Sequence, residues 1–428
     1  KLALAFINRG NAWRDKKDYD RAINDYNEAI RLDPTNALAF YGRGTAWHDK
    51  KDHDRAIKDY DEAIRLDPTN ALAFYSRGTA RRNKKDYDRA IKGYDEAIHL
   101  DPKYDPAFNN RGLAWHYKKD YDRAIKDFDV AIHLDPRDVK AFYNRGLSWQ
   151  AKKDYDRAIK DYDEATHLDP KYEPAFNNRG LAWHHKKDYD RAIKDYDEAI
   201  RLDPKVAEPL YNRGSALVLQ GRFVATRDSF RGVLELVPEN SPLGRNSLQQ
   251  IQNCGQLIRL EKKLPAVLNG DAQSVEPVEY IELGQLCQEL KKEYGAATRL
   301  YAEAFKAEPQ FTKDPRTGHR YNAACAAALA GCGQGKDADK LDDEDRICLR
   351  IQALDWLRDD LAAWTKLLEN DPKSRPTVQQ TMQHWLDDKD FAGVRGDALA
   401  KLPESERKDW QKLWEDVEAL RQRAAGSK

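Results

Sequence analysis

The 428 residues carry 73 basic and 73 acidic side chains, together 34% of the chain, so no net field draws in nucleic acid or an anionic membrane surface. The length exceeds what one hydrophobic core ordinarily serves, which leaves two or three domains or one linear array. No stretch reaches the ~20 apolar residues of a membrane helix, no signal peptide opens the chain, and the five cysteines (Cys254, Cys287, Cys325, Cys332, Cys348) form no C-x-x-C pair. These features predict a cytoplasmic, reducing setting with the cysteines as small core residues.

In chain order the first feature is a repeat. Prolines stand at Pro34, Pro68, Pro102, Pro136, Pro170, Pro204 and Pro238, a strict 34-residue spacing. Counted from Ala3, the fourth position is bulky and apolar (Phe6, Phe40, Phe74, Phe108, Phe142, Phe176, Leu210) and the eighth is glycine (Gly10 through Gly214). The twenty-fourth is aromatic (Tyr26, Tyr60, Tyr94, Phe128, Tyr162, Tyr196, Phe230) and the twenty-seventh is small. Each unit therefore reads as two helices. In the first, positions 4, 8 and 11 make one stripe at helical spacing, the glycine letting its partner approach. In repeat one the second helix is predicted over 19–32, with Asp18 as N-cap and Ala22, Tyr26 and Ala29 buried, and Asp33-Pro34 as its stop. Asp105-Pro106, Glu173-Pro174 and Glu208-Pro209 read as an acidic cap followed by proline at the first helical position. One pair cannot bury its own face, so stacking of seven pairs makes the core. The predicted repeats are 3–36, 37–70, 71–104, 105–138, 139–172, 173–206 and 207–240, followed by a helical region over 241–428.

Seven in-phase copies of W/F-x3-G-x2-W/Y followed by A-x3-Y/F-x2-A-x4-P resemble the tetratricopeptide repeat family over residues 3–240. The resemblance implies an all-α, right-handed α-solenoid of helix-turn-helix repeats with a helical C-terminal extension. Position 7 departs from the family pattern in being arginine throughout (Arg9, Arg43, Arg77, Arg111, Arg145, Arg179, Arg213), and position 23 is aspartate in five copies (Asp25, Asp59, Asp127, Asp161, Asp195). An Arg–Asp pair joining the two helices of a repeat is expected. Repeat three has Gly93 in place of the acid and Arg81 in place of the usual tryptophan. A mid-helix glycine costs about 1 kcal/mol, which marks this repeat as the weak point.

Past Pro238 the strict period ends. Residues 278–309 read as a divergent eighth repeat with one extra residue between the helices, carried by Gly284, Ala297, Tyr301 and Pro309. Helices are predicted over 320–329, 343–368, 377–385 and 403–423, as capping helices for the array. Phrases such as RLEKKLPAVLNGD, ALDWLRDDLAAW and LPESERKDWQKLWEDVEAL also resemble the tail of large bacterial serine/threonine protein kinases, over 258–424. That resemblance implies a regulatory or substrate-docking region. No Gly-rich phosphate loop, V-A-I-K, H-R-D or D-F-G is present, and residue 1 is Lys rather than Met, so the reading frame upstream is what would test it.

Catalytic chemistry has no address in the sequence. GCGQGK at 331–336 lacks the spacing and the Ser/Thr of a phosphate loop. His48, His116 and His184 recur only in every second repeat, too far apart to share a metal. The chain reads as no enzyme, with no cofactor and no metal. Function is placed instead on positions 2, 5, 6, 9, 12 and 13 of the first helices, the face that the resemblance makes concave. Position 6 supplies Asn8, Asn110, Asn144, Asn178 and Asn212, amides able to pair with the main chain of an extended peptide, similar to the asparagine ladder of the O-GlcNAc transferase repeats. Position 5 supplies Tyr41, Tyr75, Tyr143 and Tyr211, aromatics with one polar end suited to anchoring. Lys140 is the nearest basic group, and His116 and His184 share the face. No repeat has the lysine of the family's carboxylate clamp, which disfavours a C-terminal carboxylate ligand. The expected partner is a protein or extended peptide held by a scaffold.

Overall fold

A computed structural model describes residues 1–426, and every regular element among them is helical. The chain divides into two compact units, Lys1–Ala216 and Leu217–Lys428. The first unit holds six helix pairs: α1 (Leu2–Asp15) with α2 (Tyr19–Leu32), α3 (Ala37–Asp49) with α4 (His53–Leu66), and α5 (Ala71–Asn83) with α6 (Tyr87–Leu100). They continue as α7 (Asp105–Tyr117) with α8 (Tyr121–Leu134), α9 (Val139–Ala151) with α10 (Tyr155–Leu168), and α11 (Glu173–His185) with α12 (Tyr189–Leu202). The division falls within α13 (Ala207–Leu219), and α14 (Phe223–Leu236) belongs to the second unit.

The repeat positions explain this regularity. Each second helix of repeats one to six starts on an aspartate whose carboxylate accepts the N–H three residues on, as Asp18 does from Arg21 at 3.1 Å and Asp154 from Arg157 at 3.1 Å. Each ends on an extended residue before proline, such as Asp33 at φ −145°. The aromatic at position 24 is fully buried in all six, and in each it lies over the glycine of its own first helix. A Cβ built on Gly112 would lie 2.7 Å from Cε1 of Phe128, a ring that has nowhere to move. Gly112→Ala is therefore expected to cost about 2 kcal/mol by overpacking, measured as a lower urea midpoint for protection of the α7 and α8 amides.

The turns inside the repeats run through a left-handed residue. Lys17, Lys51, Lys85, Lys119, Lys153 and Lys187 all sit at φ between 62° and 64°, and Gly221 takes the same place in repeat seven at φ 71°. The strain is held by turn bonds such as Lys17 N–H to Arg14 O (2.8 Å) and Asp18 N–H to Trp13 O (2.9 Å).

Three sequence expectations about helix starts are corrected. Asp105 and Glu173 are the first residues of α7 and α11, not their caps; the caps are Tyr104 and Tyr172, which make no side-chain bond. Pro106 and Pro174 are thus second in the helix. Glu208 likewise falls inside the first turn of α13. The acids act on the helix dipole from within the first turn.

The second unit has a single large core. Besides α14 it holds α15 (Pro242–Leu268), α16 (Pro277–Gln285), α17 (Tyr294–Ala307), α18 (His319–Gly331), α19 (Asp343–Asn370), α20 (Arg375–Asp387) and α21 (Glu404–Ala425). The divergent repeat over 278–309 keeps the glycine-under-aromatic packing, since a Cβ on Gly284 would meet the Tyr301 ring at 3.1 Å. Its extra residue is not in the turn. It is absorbed in a π-helical turn, Leu286–Lys291, that ends α16, after which Lys292 adopts φ 59° like its counterparts. Helix α18 is rich in alanine because Ala323–Ala328 are all buried, packed between α17 and α19. Beneath it Trp356, Trp364, Trp385, Trp410 and Trp414 fill the core, and Arg350 makes a buried two-pronged pair with Glu406 at 2.7 and 2.9 Å. Cys254, Cys287 and Cys325 are core residues as expected, whereas Cys332 is half-buried and Cys348 is exposed at the wall of a cleft.

Candidate functional site

The arginines of position 7 and the aspartates of position 23 build the frame on which the site sits. Arg111 donates from Nε and Nη2 to both oxygens of Asp127 (2.9 and 2.7 Å), and its Nη1 reaches back to Asp95 of the preceding repeat at 2.7 Å. Arg145 does the same with Asp161 and Asp129, and Arg179 with Asp195 and Asp163. Arg43 pairs with Asp59 and with Asn27, and Arg9, in repeat one, with Asp25. The expected pair within a repeat is present in five copies. The structure adds the link between repeats, so the pairs run as a spine along the array. Burial works against the Arg111 charge, but the bonds to Asp127 and Asp95 outweigh it and raise its pKa.

A second ladder ties the first helices together, and it uses the site residues themselves. In repeats three to seven, position 6 bonds to position 5 of the repeat before. The Tyr41 hydroxyl lies 3.2 Å from Ser76 Oγ, and the Nδ2 of Asn110 donates to the Tyr75 hydroxyl at 2.5 Å. Asn144 donates to Asn109 Oδ1 at 3.0 Å, Asn178 to the Tyr143 hydroxyl at 3.0 Å, and Asn212 to Asn177 Oδ1 at 3.1 Å. Asn178 also donates to the Pro174 carbonyl at 2.9 Å, which uses both amide hydrogens. Asn8, in the first repeat, is exposed, and Tyr211 lies partly buried at position 5 of repeat seven. Asn178 thus offers a ligand mainly its oxygen.

The ladder borders a cleft of about 560 Å³ in repeats three to five. Tyr75, Arg82, Asn109, Asn110, Lys140, Asn144 and Tyr172 line it, with Asp105 and Asp138 on its wall. Arg82 donates from Nη1 to Asn110 Oδ1, and Lys140 is exposed at the rim. The histidines lie on the same helices. His116 Nδ1 is 2.9 Å from Ser148 Oγ, and burial lowers the pKa of both His116 and His184. Both rings are therefore mainly neutral near pH 7, and the positive charge of the cleft resides on Arg82 and Lys140. Toward the first repeats the face turns apolar, with Leu4, Leu38 and Leu72 exposed at position 2 by 52%, 55% and 43%.

Family models of the tetratricopeptide repeat match residues 7–71, 52–105 and 75–139, and a second such model matches 139–172 and 174–206. Residues 7–206 are tetratricopeptide repeats. Among solved structures the chain is similar to MamA, at 27% identity over 40% of this chain and 93% of that one, with a TM-score of 0.37. It is similar to a tetratricopeptide repeat protein from Parabacteroides merdae at 17% identity, covering 59% and 99%, with a TM-score of 0.48. YrrB, described as a TPR protein with an unusual peptide-binding site, matches at 23% identity over 43% and 95%, with a TM-score of 0.37. Among curated proteins none matches the sequence. No helix among the described residues is long and apolar enough to cross a membrane.

Within the tetratricopeptide array the structure brings Tyr75, Asn110, Asn144 and Lys140 to one cleft, while Tyr143, Asn178 and Asn212 continue the ladder beyond it. Sequence reasoning passed over Asn109 and Asn177, which stand at position 5 where other repeats have tyrosine, and over Arg82 and Tyr172. The signal for the first two was the doublet Asn-Asn in repeats four and six: only one amide of each pair fits position 6, and the other reaches the next repeat.

Proposed function

We propose that the first-helix face of repeats two to six is a docking groove for an extended segment of a partner protein. Tetratricopeptide repeats are a protein-interaction scaffold, and one observation supports this location above the rest of the array. The cleft over Asn109, Asn110 and Asn144 combines amide oxygens, two aromatic walls and two cations, and it runs toward exposed leucines. The amide side chains pair with main-chain groups, Tyr75 and Tyr172 supply rigid contact area, and Arg82 and Lys140 beside Asp105 and Asp138 offer both signs of charge to the bound segment. The kinase-linked reading of 258–424 gains nothing from the family matches, which end at residue 206.

Peptides selected from a display library on the native protein test the groove. Lys140→Glu leaves both ladders intact, and together with Asn144→Ala it is expected to weaken the selected peptides about tenfold, the worth of one charge-assisted hydrogen bond. Undiminished affinity in both variants would place the binding face elsewhere.

A further inference from the structure

The array carries its own controls, since six copies of one unit can be compared position by position. In repeats one, two, four, five and six a carboxylate at position 23 holds the arginine of position 7, and the tryptophan of position 11 lies under an arginine of the second helix. Arg55, for example, sits 3.5 Å from the Trp47 ring centre and Arg123 sits 4.2 Å from that of Trp115. In repeat two these groups line a small cleft of about 280 Å³ formed by Asn27, Arg43, Trp47, Arg55, Lys58 and Asp59.

Shifted by 34 residues, the same register in repeat three reads Asp61, Arg77, Arg81, Arg89, Lys92 and Gly93. Two changes coincide there: the carboxylate is deleted and the tryptophan has become a cation. Four cations now share the edge with Asp61 of the preceding repeat and with Asp86, which pairs with Arg89 at 3.3 Å. Arg77 keeps its bond to Asp61 at 2.7 Å, and Arg81 reaches the same carboxylate at 3.8 Å. The Arg77 Nε, which elsewhere in the array donates to the missing aspartate, is buried with no hydrogen-bond partner. Arg81 is four-fifths buried, and its pKa is lowered first by that burial and next by the facing charge of Arg77. A buried donor without an acceptor and two largely buried guanidinium groups in one field are both unfavourable, and one incoming carboxylate relieves both.

We propose that this edge of repeat three binds a carboxylate supplied in trans, an aspartate or glutamate side chain of an acidic partner segment, in the place that an intramolecular aspartate fills in the other repeats. The intact repeats define the chemistry. A planar two-oxygen acceptor meets the Nε and Nη2 edge of the arginine, as Asp59 meets Arg43 at 2.8 and 2.7 Å. The site lies on the spine, separate from the ladder of positions 5 and 6, and does not rest on the groove proposed above.

The test uses the full chain labelled at arginine side chains. The Nε–H resonance of Arg77, assigned by its loss in Arg77→Lys, is expected to move saturably as acetate is added and to stay still in matched chloride. A hexaglutamate peptide is expected to bind the native chain about tenfold more tightly than the Gly93→Asp variant, which supplies the carboxylate internally. A Cβ at Gly93 meets Gly78 Cα at 3.1 Å, so a second variant, Arg81→Trp, restores the residue of the other repeats without that crowding and is expected to weaken the peptide likewise. An Arg77 resonance indifferent to acetate, or hexaglutamate binding unchanged in both variants, overturns the proposal. A response to inorganic phosphate that exceeds the response to acetate also overturns it, because the site would then not be built for a carboxylate. Lys140→Glu and Asn144→Ala are expected to leave the acetate response unchanged, which separates this result from that of the groove.

Discussion

Replacing Arg145 by methionine is expected to cost about 3 kcal/mol, because it strands the buried Asp161 carboxylate without its counter-ion. The methionine keeps most of the stem volume, so the loss reports the charge. Asp161 is only 5% exposed and receives two of the three Arg145 bonds, while Asp129 receives the third. Native-state hydrogen exchange should show the loss confined to repeats four to six, since each unit of such an array couples only to its neighbours. Two comparisons make the result specific. Arg9→Met strands an equally buried acid, Asp25 at 6% exposed, but removes an arginine that is itself 60% exposed, and should cost less than Arg145→Met. Arg145→Met combined with Asp161→Leu should recover most of the loss, since removing both charges leaves nothing stranded. A double variant as unstable as Arg145→Met alone would show that the spine does not stabilise through buried pairing.

Asp360→Asn is expected to stabilise the second unit by about 3 kcal/mol at pH 8 and to change little near pH 4. Asp360 on α19 is 2% exposed, its Oδ2 is buried without a partner, and its nearest cation, Arg320, stands 4.0 Å away. Burial raises its pKa to about 7, the pull of Arg320 being too weak to reverse it. A folded value above the unfolded one means that the favourable, protonated state is complete only below the unfolded value. Stability from this group is therefore lost as pH rises, from about 4 until just above 7. Asparagine keeps the shape and abolishes the titration. Urea unfolding of both chains across this range, followed by tryptophan fluorescence, should show a gap that opens with pH. A pH-independent gap, or a native chain that is more stable at pH 8, would refute the assignment.

Much of the first unit was legible because period, cap and stop are local signals. Asp18 caps α2 and Asp33-Pro34 ends it through bonds and clashes within a few residues, and the same grammar repeats six times. The second unit was legible where strong caps or periodicity marked a helix, as for α19 with its capping box at Asp342 and Asp345. The longest gap in the reading was α15. Its middle, QQIQNCGQL, has weak amphipathic pattern, and the helix is held by tertiary burial of Cys254, Leu260 and Leu264. The candidate site was half legible. Helical spacing put Asn110, Asn144 and Asn178 on one face, but whether an amide points to a ligand or to the next repeat depends on the offset between adjacent helices. That offset pairs position 6 with position 5 of the repeat before, and no single repeat encodes it.

By itself, then, the sequence determined the 34-residue helix pair, its caps and its glycine-under-aromatic core, because those are contacts within one unit. Tertiary structure decided everything that passes between units. It turned isolated Arg–Asp pairs into a spine, committed the asparagine donors to a ladder, and put the extra residue of the divergent repeat into a π turn. The physical reason is distance. Bonds of 3 Å join residues 16 or 35 apart only once the stacking offset is fixed, and that offset is set by the packing of whole helices.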